Sequence, residues 1–284
     1  MSKELPGKDL QQINAAVSLL ETAALSSRAP MFVALAAAGL IGCAANKAPQ
    51  VPPFAAVPYE PFSREAAVQI ALREWRAFGQ PVVLPHTELP DDKERAEGLW
   101  QRVGEYWWLG LDRDAPERAW TGKHDAGGRV FPASDDGQFA WSAAFVDYVM
   151  RISGAAARFP YAPDHAHYIN AARRHGLGKE PDIALDAQRP QDYAPQRGDL
   201  ICLWRGQQPV RFDDLPTPTF FPGHCDIVVA TRPGALDVIG GNVENAVALK
   251  SVPTTSDGRL ARPDGTLVDP DHRWFVVLRV RYDR

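Results

Sequence analysis

The sequence has no apolar run long enough to cross a bilayer as a helix of about 20 residues. It also has no surplus of basic residues, since 31 Lys and Arg face 35 Asp and Glu for a formal net charge of −4. The composition therefore gives no indication of nucleic-acid binding. The sequence also contains no long run of one charge, which would indicate a charged tail. What is present is an ordinary hydrophobic fraction of 45% in 284 residues, enough for one large domain or two small ones.

One short apolar segment lies near the N-terminus, at residues 31–42 (MFVALAAAGLIG). About a dozen apolar residues are typical of the h-region of a signal peptide rather than of a membrane span. The segment ends at Cys43, and the sequence LIGC resembles a bacterial lipobox, whose cysteine is lipidated. The resemblance to enterobacterial lipoproteins implies that Ala44, in the next position, favours the outer membrane, facing the periplasm. A buried helix rich in Ala and Leu is the alternative.

Residues 1–30 fit that interpretation less well, because the segment is long for a signal-peptide n-region and contains the acidic residues Glu4, Asp9 and Glu21. A misplaced start and a genuine extension both remain open. The expected organisation is an N-terminal extension with a lipoprotein signal peptide at 1–43, a Pro-rich tether at 44–62, and a single domain at 63–284.

The other two cysteines, Cys202 and Cys225, lie in predicted core strands. They can pair in an oxidising periplasm. A lone buried cysteine more often behaves as a small hydrophobic residue, so we expect both to be unpaired.

Within the domain, helical patterns precede strand patterns, which predicts an α+β fold with the helices packed on a small antiparallel sheet. We expect Ser63 to cap the first helix. The predicted helices are 63–78, 94–109, 141–152 and 163–175, and the predicted strands are 198–204, 225–230, 237–239, 246–252 and 274–280.

Ser142 in the segment WSAAF is expected at the start of a helix, where free backbone N–H groups and the helix dipole favour a nucleophile and an oxyanion. His224 begins a strand and is a candidate general base. Asp226 shares the strand face of His224, because side chains alternate along a strand. His165 and Tyr168, at the start of another helix, and Trp141 are candidates to line the cleft with Asp226 and bind substrate.

These segments resemble the NlpC-type and CHAP-type branches of the papain-like peptidases. The resemblance rests on four segments: WSAAFV, GDL at 198–200, HCDIVV at 224–229, and GGN at 240–242. The resemblance implies a papain-like domain of about five strands, with His224 as base and Asn242 holding its far nitrogen. Ser142 stands where those families carry Cys. Further segments, among them SREAAVQIALREW and GEYWW, make the chain similar to domain-of-unknown-function family 2272 of bacterial lipoproteins.

The resemblance implies a hydrolase that cleaves peptidoglycan peptide or amide bonds with Ser142, His224 and Asn242, anchored to the membrane at Cys43. No cofactor, metal or nucleic acid is expected. Serine needs a stronger base than cysteine does, and bases of serine hydrolases are usually oriented by a carboxylate rather than a neutral amide. An inactive cleft that binds cell-wall peptide or a partner protein therefore stays open, as does an esterase or acyltransferase.

Overall fold

A computed structural model describes residues 61–84, 93–179 and 182–283. The lipidation candidate Cys43, the signal-peptide segment and residues 44–60 of the tether lie outside these ranges, so their predictions are untested. No helix within the described ranges is long and apolar enough to cross a membrane.

Four α-helices lie in this part of the chain, and two begin at side-chain caps, of which the Ser63 cap was predicted. The Ser63 hydroxyl accepts a hydrogen bond from the Ala66 amide at 3.2 Å, and Asp164 accepts one from the His167 amide at 2.9 Å. Both bonds satisfy amides that have no partner inside the helix. The helices are α1 (Arg64–Ala77), α2 (Leu99–Gly110), α3 (Ser142–Ile152) and α4 (His165–Gly176).

The strands form one six-stranded antiparallel sheet in the order β1-β6-β2-β3-β4-β5. The α+β class and the five predicted strands are confirmed, and β1 is an additional short strand at one edge. The strands are β1 (Leu185–Gln188), β2 (Leu200–Trp204), β3 (Gly223–Arg232), β4 (Ala235–Val243), β5 (Ala246–Pro253) and β6 (Trp274–Val280).

The sheet separates two hydrophobic clusters. The larger cluster joins the helices to one sheet face, and in it Phe145 of α3 lies with Ile227 of β3 and Ile239 of β4. The smaller cluster covers the other face, where Leu260, from the segment between β5 and β6, joins Val228 of β3. Side chains of β3 are therefore buried on both faces, and those at its start can meet the ends of the helices.

Cys202 and Cys225 form a disulfide with an S–S distance of 2.04 Å. The two residues are directly paired across β2 and β3, which brings their sulfurs together on one face of the sheet. The expectation of two unpaired thiols was therefore wrong. Composition alone favoured it, because the alignment of two strands 23 residues apart is not visible in the sequence.

Candidate active site

Ser142 is the first residue of α3, and its hydroxyl lies 2.7 Å from Nε2 of His165. His165 is likewise the first residue of α4, positioned by the Asp164 cap. The starts of two helices thus meet at one point, where both side chains are more than nine-tenths buried. A hydroxyl in hydrogen-bond contact with an imidazole nitrogen is the geometry required of a nucleophile and its base.

The other ring nitrogen of His165, Nδ1, forms a hydrogen bond with the Tyr168 hydroxyl. Tyr168 follows His165 by three residues, so the two side chains lie on the same side of α4. When Nδ1 carries the ring proton and donates it to Tyr168, Nε2 is free to accept from Ser142. Burial lowers the pKa of His165 well below its usual value, and the neighbouring His224 adds to this shift, so the ring is neutral near pH 7.

A second polar group adjoins the first. His224 Nε2 lies 2.9 Å from Asp226 Oδ1, and the other carboxylate oxygen of Asp226 lies 2.6 Å from Lys250 Nζ. The prediction that Asp226 shares a strand face with His224 is confirmed by this contact. Lys250 was missed, because a lysine in β5 gives no sign in sequence that it reaches β3.

The His165 and His224 rings are 5.4 Å apart between centroids and nearly edge to face. The two groups therefore form one cluster, which we call the serine–histidine cluster: Ser142, His165, Tyr168, His224, Asp226 and Lys250.

Burial lowers the pKa of His224 to about 4, although Asp226 opposes the shift. Burial alone works against ionisation of Asp226, but Lys250 and His224 more than offset it and hold its pKa below the usual range. The cluster therefore carries one buried carboxylate–lysine pair and two neutral imidazoles near pH 7.

The structure corrects the role expected of Asn242. Within the described residues, His224 bonds Asp226 through Nε2 and has no hydrogen-bond partner at Nδ1, so Asn242 holds neither nitrogen. Asn242 has a positive φ of 52° at an irregularity in the pairing of β4 with β5. The resemblance located the correct end of the sheet but assigned the orienting group to the wrong strand.

The two glycines before Asn242 belong to β4 and make space rather than a turn. A Cβ at Gly240 would lie 1.9 Å from Asp226 Oδ1 and 2.9 Å from His224 Nε2. A Cβ at Gly241 would lie 2.4 Å from Cβ of Phe145 in α3. The first glycine thus leaves room for the His224–Asp226 contact, and the second allows α3 to approach the sheet.

Residues 94–280 match the model of a family described as an uncharacterized protein conserved in bacteria, domain-of-unknown-function family 2272. The chain belongs to this family. The matched segment contains α2, α3, α4 and all six strands, and so every member of the serine–histidine cluster. No curated protein and no solved structure matches the chain.

Trp141, expected to bind substrate, is instead part of the core of this family 2272 domain. Its side chain is fully buried, with ring centroids 5.8 Å from Phe78 and 5.7 Å from Tyr106. Its indole N–H donates to the carboxyl group of Glu94. Trp141 therefore fixes the start of α3, and with it Ser142, from behind.

Glu94 gives this support a pH dependence. Burial raises the pKa of Glu94 from 4.5 to about 7, so its contribution to stability is full below pH 4.5 and is lost as the pH rises through 7. Glu94→Gln keeps an acceptor for Trp141 without a charge. Between pH 4.5 and 7 the wild type should lose about 3 kcal/mol of free energy of unfolding through Glu94, and the variant should not. Urea unfolding of both proteins at several pH values measures the difference.

The free energy of unfolding is plotted against pH for each protein, and one curve is subtracted from the other. The difference removes contributions from groups that both proteins share. His224, with its lowered pKa, loses stability as the pH falls from 6.5 towards 4. Parallel curves for wild type and Glu94→Gln would contradict the assignment of a raised pKa to Glu94.

Among residues 61–84, 93–179 and 182–283, no group of three or more His, Cys, Asp and Glu could hold a metal ion.

Proposed function

We propose that this family 2272 domain is a cell-envelope hydrolase of the papain-like type, with Ser142 as nucleophile. The observation that carries the proposal is the 2.7 Å contact between Ser142 Oγ and His165 Nε2 at the start of α3. The order of helix, strand and sheet segments supports the papain-like assignment. The proposed substrates are peptide or amide bonds of peptidoglycan.

In the proposed reaction, Ser142 Oγ attacks the carbonyl carbon while its proton passes to His165 Nε2. The first amides of α3 have no partner within the helix and stabilise the oxyanion that forms. His165 then gives the proton to the leaving amine, and water hydrolyses the acyl-enzyme with the same residue as base. In this scheme the base is His165, and not His224 as expected from sequence.

Asp226 is the carboxylate of the serine–histidine cluster, and Lys250 neutralises part of its charge. Serine hydrolases usually stabilise the imidazolium formed during attack with a carboxylate. Tyr168 is neutral, because burial raises its pKa well above the usual value. Asp226 is ionised and lies behind His224, whose ring adjoins that of His165.

The proposed location is the bacterial envelope, with Cys43 lipidated and the domain in the periplasm. The lipobox-like sequence before Cys43 supports this location, and so does the Cys202–Cys225 disulfide. Disulfides persist in oxidising compartments such as the periplasm and are rare in the cytosol.

A second function is favoured by one specific observation, the hydroxyl of Tyr168 in place of a carboxylate at His165 Nδ1. Without direct charge support, Ser142 would be a weak nucleophile. The same groups would then bind cell-wall peptide, or a partner protein, without cleaving it. An esterase or acyltransferase lies between these cases, because an ester demands less of a serine than an amide.

The test is turnover of purified sacculi and of simple esters by the wild-type protein, together with labelling by a fluorophosphonate that traps activated serines. We expect turnover, and a label on the peptide that contains Ser142. Inactivity of the wild type combined with activity of Ser142→Cys would reject a serine hydrolase and support a binding cleft. Hydrolysis of esters but not of sacculi would select the esterase.

A further inference from the structure

The two hydrogen bonds of His165 can run in either of two directions, because a neutral imidazole carries a single ring proton. With the proton on Nδ1, His165 donates to Tyr168 and accepts from Ser142. With the proton on Nε2, Tyr168 donates to His165, and His165 donates to Ser142. Only the first direction leaves a lone pair on Nε2 for the Ser142 proton, so the direction decides whether Ser142 is activated in the free protein.

Each direction leaves one hydroxyl proton without an acceptor among residues 61–84, 93–179 and 182–283. In the first direction it is the proton of Tyr168, whose hydroxyl bonds His165 and no other group in these ranges. Tyr168 keeps this proton, because burial raises its pKa well above the usual value. Asp147 Oδ1, a buried carboxyl oxygen, does not take the proton, since it has no hydrogen-bond partner. In the second direction the proton without an acceptor is that of Ser142.

Burial decides between the two directions. Tyr168 is 0% exposed, whereas Ser142 remains 7% exposed. A fully buried hydroxyl that donates to nothing has lost its hydrogen bond to water without a replacement. The hydroxyl of Ser142 can still turn towards water or a bound ligand. This difference favours the second direction, with the ring proton on Nε2 of His165, by about tenfold or more.

The proton of the neighbouring imidazole is fixed by independent contacts. His224 Nε2 lies 2.9 Å from Asp226 Oδ1, and an ionised carboxylate can only accept a hydrogen bond. Nε2 of His224 therefore carries the ring proton, and its Nδ1 is a buried lone pair with no partner among the described residues. The two rings, 5.4 Å apart between centroids, then carry their protons on the same nitrogen. They differ at Nδ1, which accepts from Tyr168 only in His165.

We propose that Tyr168 is a positioning residue that holds His165 protonated on Nε2, so that His165 donates to Ser142 and keeps it unactivated in the free protein. Before Ser142 can attack, the Tyr168 hydroxyl must turn away, Nε2 must lose its proton and Nδ1 must gain one, so the ring stays neutral. If about one molecule in ten has the competent tautomer, the reaction of Ser142 is slowed about tenfold. The tautomer follows from the hydrogen bonds, and only its effect on rate rests on the proposed function.

NMR of the full chain labelled with isotopic histidine measures which nitrogen of each ring is protonated. The sequence contains 7 histidines, and the signals of His165 and His224 are identified by their loss in His165→Gln and His224→Gln. We expect protonated Nε2 in both rings, with the Nδ1 resonance of His165 displaced by its hydrogen bond. Tyr168→Phe should move that resonance towards the position of the His224 Nδ1. Tyr161→Phe, which removes a buried hydroxyl with no hydrogen-bond partner, should leave it unchanged.

A ring proton on Nδ1 of His165 in the wild type would overturn the proposal, and so would a His165 resonance that Tyr168→Phe does not move. The rate is measured separately, by replacing Tyr168 with O-methyltyrosine, whose oxygen accepts a hydrogen bond but cannot donate one. Fluorophosphonate labelling of Ser142 should become about tenfold faster, and unchanged labelling would overturn the claim that Tyr168 restrains the serine. Absence of labelling in every protein would reject the hydrolase alone, because the NMR result does not depend on turnover.

Discussion

Replacing His165 by glutamine is expected to lower turnover about 10³-fold, because glutamine retains hydrogen bonding but cannot accept the Ser142 proton. Steady-state hydrolysis of the best substrate from the sacculus and ester assays measures the loss. The effect should appear in kcat, since Ser142 and His165 act on the reacting atoms. The double variant Ser142→Ala with His165→Gln should be no slower than Ser142→Ala alone, because the two residues work as a unit.

His167 supplies a matched control for this substitution. It lies two residues further along α4 and is exposed, so His167→Gln should leave turnover unchanged. His224→Gln tests the rival base. A loss in His224→Gln together with near-normal turnover in His165→Gln would return the role of base to His224, as the family resemblance implied.

The same assignment fixes the direction of the pH dependence. Burial lowers the pKa of His165 well below 6.5, with His224 and Arg205 adding to the shift. The base therefore stays unprotonated in mildly acidic solution, and kcat/KM should hold constant as the pH falls to 6.5 and decline only below it. A decline that begins above pH 7 would contradict a buried, neutral His165.

Local features were predictable from the sequence where they depend on neighbouring residues. The Ser63 cap follows from a side chain that can reach an amide three residues ahead, and it is present. Alternation along β3 correctly placed Asp226 beside His224. The strand β1 was missed because LDAQ is short and half polar, with none of the apolar repetition that indicates a strand.

Features that depend on distant segments were not predictable. The position of β6 between β1 and β2 is set by pairing between segments of the chain that are far apart in sequence. The contact of Ser142 with His165 depends on how α3 and α4 meet, although the expectation that His165 lines the cleft came close. The role of Lys250 depends on its reach across β4 to Asp226, which no sequence spacing reveals.

Gly240→Ala is expected to destabilise the fold by about 4 kcal/mol, because the new methyl group would occupy the position of the Asp226 carboxylate. A Cβ built on Gly240 would lie 1.9 Å from Asp226 Oδ1, and neither side can move freely. Asp226 and His224 are fully buried, and Asp226 also holds Lys250. Displacing Asp226 would leave a buried ammonium group without its counter-charge.

Urea unfolding of Gly240→Ala and Gly137→Ala measures this cost against a matched control. A Cβ at Gly137 has no heavy atom within 4 Å, so Gly137→Ala should be near neutral, within about 0.5 kcal/mol. Equal stability of the two variants would mean that β4 yields at Gly240 without disturbing Asp226, and that the His224–Asp226–Lys250 contacts do not constrain the sheet. A large loss confined to Gly240→Ala would establish that the first glycine of GGN serves the buried carboxylate, independently of whether Ser142 is catalytic.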